Sequence, residues 1–166
     1  MYSQKATKMN EIKYVLERLN PEAVAELKVL FGNDYKNQAF QIIRATRSDK
    51  FIIKLEKTNE PVGIYGIIPM KQETACGIFF LTTNNIHKGN KIKLLKGAKK
   101  QIAIWEQKYE TIMDSCHKTS ETIKKWLKLL GFKPSGWEDN NIEVYYKGVW
   151  SDEIEKRIKQ QWVILI

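Results

Sequence analysis

Three apolar segments rich in β-branched residues follow one another in the middle of this chain. Residues 50–57 and 61–69 flank a short polar turn at residues 58–60, and residues 74–83 come soon after them. The first two segments predict a β-hairpin, because short apolar runs are joined by turn-forming residues. The third is apolar along most of its length, which is typical of a central strand covered on both faces.

After the third strand the pattern alternates between helix and strand. Residues 88–109 predict a long helix whose apolar face carries Ile92, Leu95, Ala98, Ile102, Trp105 and Tyr109. Residues 111–116 predict a strand. A helix then begins at Ser120 and ends at Gly131, residues 141–150 form a last strand, and residues 151–161 form an amphipathic helix.

The region before the hairpin is harder to interpret. Residues 11–18 alternate between apolar and polar, which favours a first strand, although Leu16 and Leu19 also fit helical spacing. Asn20 and Pro21 then indicate a helix start, and that helix ends at Gly32. Residues 35–45 predict a second helix. The predicted order, β-α-α-β-β-β-α-β-α-β-α, favours an α/β class with a central mixed sheet flanked by helices on both faces.

The length of 166 residues suits one domain, which we place at residues 1–150, with a C-terminal helix and tail at 151–166. No apolar run approaches the length of a membrane span, so no membrane partner is expected. Cys76 and Cys116 are interpreted as reduced core thiols, and no metal site is expected. There are 28 lysines and arginines against 19 acids, a net charge of +9, so the surface should attract polyanions.

Short motifs add a resemblance to a known family. The strand at 74–83 runs through residues 84–89 into a long helix, and Gly131-Phe132 closes the helix that begins at Ser120. This arrangement resembles the GNAT (acyl-CoA N-acyltransferase) superfamily over about residues 11–148. Residues 61–69, 80–83 and 126–132 also resemble the GNAT-like internal virion proteins of short-tailed phages.

The resemblance implies where an acyl-CoA such as acetyl-CoA would bind. Ile86 to Lys91 occupy the frame of the family's phosphate loop, but only Gly89 matches its small residues, and Lys91 departs from them. The alternative is an ordinary helix N-terminus with a solvated basic turn. The implied cofactor-binding residues are Leu81, Thr82, Thr83, Lys88, Gly89, Asn90, Lys91 and Ser120.

The implied catalytic positions are altered. The family's proton-donating Tyr falls on Leu127, which can neither donate nor accept a proton, and its cofactor-contacting Asn falls on Ser120. Ser120 serves equally well as a helix N-cap. Glu73, Tyr65 and His87 remain weak catalytic candidates that ordinary surface or core roles would also explain. We therefore expect a protein that requires no cofactor, although acetyl-CoA remains a possible ligand.

A cluster of lysines suggests a further contact surface. It comprises Lys93, Lys96, Lys99, Lys100, Lys124, Lys125 and Lys128. These side chains form either a solvated outer face or a surface for packaged DNA or other phage virion proteins. The C-terminal helix either packs on its own domain or docks on a partner.

The leading hypothesis from the sequence is a phage-encoded protein with a structural or assembly role. It would act in the host cytoplasm or the virion interior. The first alternative is an acyl-CoA-dependent N-acyltransferase with an atypical phosphate loop, and the second is a non-specific nucleic-acid-binding protein.

Overall fold

A single mixed sheet organises the protein. The computed structural model describes residues 1–46, 49–71 and 74–165, with side chains described to residue 160. In this part of the chain seven strands lie in the order β1-β2-β3-β4-β5-β7-β6. Their bounds are Tyr2–Lys5 (β1), Lys50–Lys54 (β2), Pro61–Pro69 (β3), Ala75–Thr82 (β4), Thr111–His117 (β5), Lys133–Asp139 (β6) and Ile142–Gly148 (β7). Among these described strands, β4 and β5 pair in parallel, and every other neighbouring pair is antiparallel.

Six helices cover the sheet in the described part of the chain. Their bounds are Met9–Leu16 (α1), Pro21–Phe31 (α2), Tyr35–Ala45 (α3), Lys91–Glu106 (α4), Glu121–Leu129 (α5) and Asp152–Leu165 (α6). None of the described helices is long and apolar enough to span a bilayer. The predicted α/β class, with helices on both faces of a mixed sheet, is confirmed.

The helices divide between the two faces of the sheet. Apolar side chains of α1, α2 and α3 pack on one face, where Ile52, Ile64 and Leu81 lie. We call this the α2 face. Side chains of α4 and α5 pack on the opposite face with Ile112 and Cys116, and we call it the α5 face. Helix α6 lies on the α2 face, because Ile158 is buried in a cluster with Met113 and Val144.

Local sequence explains why several elements form where they do. The Asn20 side chain accepts a 2.9 Å hydrogen bond from the Ala23 N–H, and Pro21 occupies the first turn, so α2 begins as predicted. Helix α3 also occupies the predicted range, residues 35–45. The hairpin of β2 and β3 turns at residues 55–60, with Asn59 at a φ of 57°. Cys76 and Cys116 are both buried and free.

The first predicted strand, residues 11–18, is wrong. This region forms helix α1, and it buries Ile12, Val15 and Leu16 at helical spacing. The buried ion pair of Glu11 with Lys54, at 2.5 Å, fixes α1 against the sheet. The true first strand, β1, precedes α1 along the chain. Polar residues dominate its sequence, and none of its four residues is fully buried at this edge of the sheet.

Two further differences concern the second half of the chain. Strand β6 was not predicted, because only Ser135 and Trp137 of its seven residues are partly buried. The predicted start of the long helix is a 3₁₀ turn at Asn84–Lys88, and α4 begins at Lys91. Ile92, predicted on the apolar face of that helix, is 69% exposed.

Candidate functional site

Strands β4 and β5 pair at one end and separate at the other. Their parallel pairs are Ala75–Thr111, Cys76–Ile112 and Gly77–Met113, and the described register contains no further pair between them. Strand β4 nevertheless continues to Thr82 and β5 to His117. A gap therefore opens in the middle of the sheet, between the last five residues of β4 and the last four of β5.

The gap exposes backbone groups of β4. The Thr82 carbonyl points away from β3 and accepts a 2.9 Å hydrogen bond from the Asn20 N–H. Backbone groups of alternate strand residues point the same way, so the N–H and C=O of Phe80 also face the gap. They form a ready edge for an extended ligand with amide groups.

A cavity of about 760 Å³ passes through this gap. On the α2 face it is lined by side chains of α2, α3 and α6, including Leu27, Ile43 and Ile158. On the α5 face it is lined by side chains of α4 and α5, including Trp126 and Leu127. The volume falls within the range of small-molecule sites, and the two halves communicate where β4 and β5 part.

Two carboxyl groups meet at the gap. Glu26 belongs to α2, and Asp114 is the first β5 residue beyond the paired segment. The Ser115 hydroxyl donates a 3.1 Å hydrogen bond to Glu26 Oε1, and the Ser115 N–H donates a 2.8 Å bond to Asp114 Oδ1. Both carboxyl side chains are partly accessible, and both line the cavity, so a ligand in the cavity would reach them.

The protein raises the pKa of both groups. Burial raises the pKa of Glu26 to about 8, and the Ser115 hydrogen bond only partly opposes the rise. Burial also holds the pKa of Asp114 well above its ordinary value, with the nearby Glu26 charge as the second cause. Two carboxylates that interact this strongly titrate as a pair. Near neutral pH the pair therefore retains protons that isolated carboxyls would have lost.

Lysines border the other half of the cavity. Lys93, Lys96 and Lys100 lie one turn apart along α4 and all line the cavity, with Gly97 between them. Lys93 also forms an ion pair with Glu56. Lysine ammonium groups bind phosphate as point charges. The α5-face half is thus suited to an anionic ligand, whereas the carboxyl pair lies at the gap.

The predicted phosphate loop offers fewer free backbone N–H groups to a phosphate than the sequence suggested. The Asn90 side chain accepts a 3.1 Å hydrogen bond from the Lys93 N–H, so one free amide of the α4 N-terminus is already satisfied. Gly89 is packed against the Met1 side chain, since a Cβ placed there would lie 2.1 Å from Met1 Cγ. Gly89 therefore has a packing reason to be glycine.

The structure brings some of the predicted site residues to the cavity and leaves others away from it. Those that line it are Leu81, Thr82, Tyr65, Lys93, Lys96 and Lys100. Those outside the described lining are Thr83, His87, Lys88, Gly89, Asn90, Lys91, Lys99, Ser120, Lys124, Lys125 and Lys128. Glu73 lies outside the described residues.

The weak catalytic candidates have ordinary partners. The Tyr65 hydroxyl donates a 3.2 Å hydrogen bond to Ser3 Oγ, and its ring stacks on Phe51 at a centroid distance of 5.1 Å. His87 is exposed in the 3₁₀ turn, where its ring contacts the Asn84 carbonyl. Neither residue is positioned beside the carboxyl pair by any described contact.

The two positions that the resemblance singled out on α5 are both buried. Leu127 packs in the core of the α5 face with Trp105 and Phe132. Ser120 occupies the N-cap position of α5, as the alternative interpretation expected, but its hydroxyl makes no capping hydrogen bond to the first turn. The Ser120 backbone instead donates to the His117 carbonyl and so continues the turn after β5.

Neither carboxyl of the pair was predicted as a site residue from the sequence. Glu26 lies on a helix whose pattern gives no reason to single out one acid, and its partner Ser115 is 89 residues away. Asp114 carried a weak signal, since it is a charged residue inside an otherwise apolar predicted strand. Burying a charged residue without a partner costs free energy, so its presence in an apolar strand indicates a specific role.

Comparison with known proteins identifies the fold. No protein-family model and no curated protein matches the sequence. Solved structures do match. The GNAT domain of S. lividans PAT has a TM-score of 0.67 at 10% identity and covers 89% of each chain. Aminoglycoside 6'-acetyltransferase type Ii has a TM-score of 0.60 at 14% identity, covering 91% of this chain and 99% of that one.

A third similar structure contains ligands. Microcin C7 self immunity acetyltransferase MccE, in complex with acetyl-CoA and AMP, has a TM-score of 0.57 at 13% identity. It covers 85% of this chain and 87% of that chain. At such identities the likeness shows the fold and no more. The predicted GNAT-like fold is confirmed.

Proposed function

The chain has the fold of the GNAT acyltransferases, and we propose that it transfers an acyl group from an acyl-CoA to an amine. The observation that carries the proposal is the carboxyl pair, Glu26 and Asp114, at the gap between β4 and β5. Structural neighbours with this fold include an acetyltransferase in complex with acetyl-CoA. Here the gap supplies backbone groups, and the pair supplies sites that can hold or accept a proton.

The residues present fit an acyl-CoA in two respects. The Phe80 backbone faces the gap and offers a donor and an acceptor to the amide groups of the pantetheine arm. Lys96 and Lys100 line the α5-face half, where they would neutralise phosphate charge. The capped and Met1-packed start of α4 is less suited to a tight amide cradle, so lysine charge would provide more of the phosphate affinity.

The acyl-CoA supplies a thioester that is already activated for attack. In the transfer, a bond forms between the amine nitrogen and the acyl carbon, and the carbon–sulfur bond breaks with its electron pair leaving on sulfur. Glu26 approaches from the α2 face and accepts the proton released by the amine. Asp114, on the strand beside Ile112 and Cys116, holds a proton that it gives to the departing sulfur.

This arrangement replaces the proton donor that is missing at Leu127. Environments that separate the pKa values of two neighbouring carboxyls allow one to act as base and the other as acid. The pKa values of both carboxyls are raised, with that of Glu26 at about 8, so one carboxyl can keep a proton while the other accepts one. The pair can therefore move protons in both directions without a tyrosine.

Equilibrium binding of acetyl-CoA tests the proposal. We expect calorimetric titration to detect binding, and the Lys96→Ala/Lys100→Ala variant to bind at least about tenfold more weakly, since two phosphate-facing charges are lost. The matched control is Lys99→Ala/Lys108→Ala, which removes the same charge from exposed positions outside the described lining. The absence of binding to the unaltered protein would refute the proposal.

The structural or assembly role in a phage virion stays a prediction. Leu127 favours it, because a buried leucine replaces the family's proton donor. A protein of this kind would appear at fixed stoichiometry in purified particles, which mass spectrometry would measure. The nucleic-acid alternative also stays a prediction, and its test is a linear fall of log affinity with log salt concentration.

A further inference from the structure

The half of the cavity on the α2 face has a composition of its own. Side chains of α2, α3, α6 and the sheet line it, and the apolar ones include Leu27, Leu30, Phe31, Ile43, Met113 and Ile158. Its acidic side chains are Glu26 at the gap and Glu22 one helical turn before Glu26, with Asn20 and Ser115 as neutral polar neighbours, while Asp114 reaches the gap from the other side of β5. This half therefore presents an apolar chamber with acidic groups along one side.

The positive side chains lie mainly elsewhere. Lys93, Lys96 and Lys100 belong to α4 on the opposite face, and Lys71 is the one basic residue that the described lining adds near the end of β3. An ammonium group in the chamber would therefore be drawn toward the gap, where the carboxyls lie. In the described lining Lys71 is thus the one cation near this half that could meet a carboxylate or phosphate on the same ligand.

Helix α6 contributes to the wall of the chamber. Ile158 is 1% exposed and lines the cavity, while Ile154 packs in the same cluster without being part of the described lining. A bulky, strongly hydrated acceptor would lose much of its hydration water on contact with these apolar walls. Desolvating several charged groups at once costs far more free energy than desolvating one that finds a carboxylate partner.

We infer that the acyl acceptor is a primary amine on an apolar body, such as an alkylamine or aralkylamine, held with its nitrogen at Glu26 and its body against Leu27 and Ile158. This inference rests on the proposed function only in taking the bound amine to be acylated. Binding of the amine does not depend on the proposed function. A polycationic sugar fits this chamber poorly, because the apolar walls leave most of its charges without partners.

Binding of amines to the protein without acyl-CoA tests the inference. The probe is 2-phenylethylamine, compared with ethylamine, which lacks the apolar body, with 2-phenylethanol, which lacks the charge, and with kanamycin, which carries several charges. At about pH 8.5 most of the Glu26 carboxyl is ionised, given its pKa of about 8. We expect 2-phenylethylamine to bind at least about tenfold more tightly than each of the other three.

Two pairs of variants locate the site. Glu26→Gln should weaken 2-phenylethylamine binding at least about tenfold and leave 2-phenylethanol unchanged, while the surface control Glu17→Gln should change neither. Ile158→Ala should weaken both aromatic probes, and Ile154→Ala should leave them within about twofold. Circular dichroism and melting curves verify that each variant is folded.

The failure of this inference is distinguishable from the failure of the proposed function. Binding of kanamycin or ethylamine as tight as that of 2-phenylethylamine would overturn the acceptor class, as would no binding of 2-phenylethylamine at millimolar concentration. Both results are independent of acetyl-CoA, whose binding is measured separately. Equal loss of 2-phenylethylamine affinity in the Ile154 and Ile158 variants would also overturn the proposed location.

Discussion

The Ser115 hydroxyl donates a 3.1 Å hydrogen bond to Glu26 Oε1, and this contact joins helix α2 to strand β5 just beyond the last β4–β5 pair. The same serine donates its backbone N–H to Asp114. One residue thus holds two carboxyl groups that reach the gap from different elements. Ser115 therefore fixes both carboxyl groups beside the opening between β4 and β5.

The carboxyl pair should make the protein less stable as the pH rises. The pKa of Glu26 is raised from an ordinary value of 4.5 to about 8, so the folded state binds more protons than the unfolded state between these values. Stability is then lost as the pH rises through this window, by at most about 1.4 kcal/mol per pH unit for each group. Asp114, whose pKa is also raised, contributes with the same sign.

Urea unfolding between about pH 5.5 and 8.5 measures this effect. Glu26→Gln should flatten the decline and make the protein more stable than the unaltered chain at the alkaline end. Glu17→Gln, at an exposed position just after α1, should leave the slope unchanged. Parallel pH profiles for the Glu26 variant and the unaltered protein would contradict the assignment.

Leu127 should behave as a core residue. It is 2% exposed, whereas Leu129 on the same helix is 58% exposed. Leu127→Ala should therefore lower the free energy of unfolding by about 2–5 kcal/mol, through lost burial and the cavity left behind. Leu129→Ala should change it by no more than about 0.5 kcal/mol. Similar losses at both positions, measured by denaturant unfolding, would show that α5 is not packed as described.

The two glycines that flank the first turns of α4 should respond oppositely to alanine. Gly97→Ala adds a methyl group where no described atom beyond the adjoining helix backbone lies within 4 Å, so it should stabilise the helix by about 0.5–1 kcal/mol. Gly89→Ala places its Cβ against the Met1 side chain and should cost about 1–3 kcal/mol. Melting temperatures of the two variants give the comparison, and a gain from Gly89→Ala would rule out the packing seen at Met1.

The buried ion pair of Glu11 with Lys54 should be more sensitive to loss of one partner than to loss of both. Their side chains are only 12% and 10% exposed, respectively. Glu11→Met alone leaves the Lys54 ammonium without its partner and should cost about 3–5 kcal/mol. The double variant Glu11→Met/Lys54→Met should recover most of that loss. Additive effects in this double-mutant cycle would show that the two residues do not interact.

The elements with a local hydrophobic signal could be predicted from the sequence. The hairpin, β4, α2 and α3 each combine a regular apolar pattern with clear turn or cap residues, and the structure has them in nearly the predicted places. Residues 9–16 misled because Ile12, Tyr14 and Leu16 alternate as in a strand. The spacing of Ile12, Val15 and Leu16 fits a helix equally well, and tertiary packing decided between the two.

What the sequence could not predict depends on contacts between distant residues. Strand β6 is an edge strand with few buried side chains, so it has no hydrophobic period to detect. The raised pKa of Glu26 arises because packing of α2 on the sheet buries this carboxyl, which no local pattern encodes. Lys96 and Lys100 lie on the cavity side of α4, and Lys99 lies away from it. This difference depends on how α4 packs and could not be predicted from the sequence.

The most direct test of the account measures acyl transfer as a function of pH. The rate of thiol release from acetyl-CoA with 2-phenylethylamine should rise with pH and break at about 8, where Glu26 loses its proton. Glu26→Gln should lower the rate by at least about 100-fold while acetyl-CoA still binds, because a general base is lost and the binding site is kept. A Glu26 variant that keeps the full rate and the break at about 8, or bound acetyl-CoA without any amine-dependent thiol release, would contradict the account.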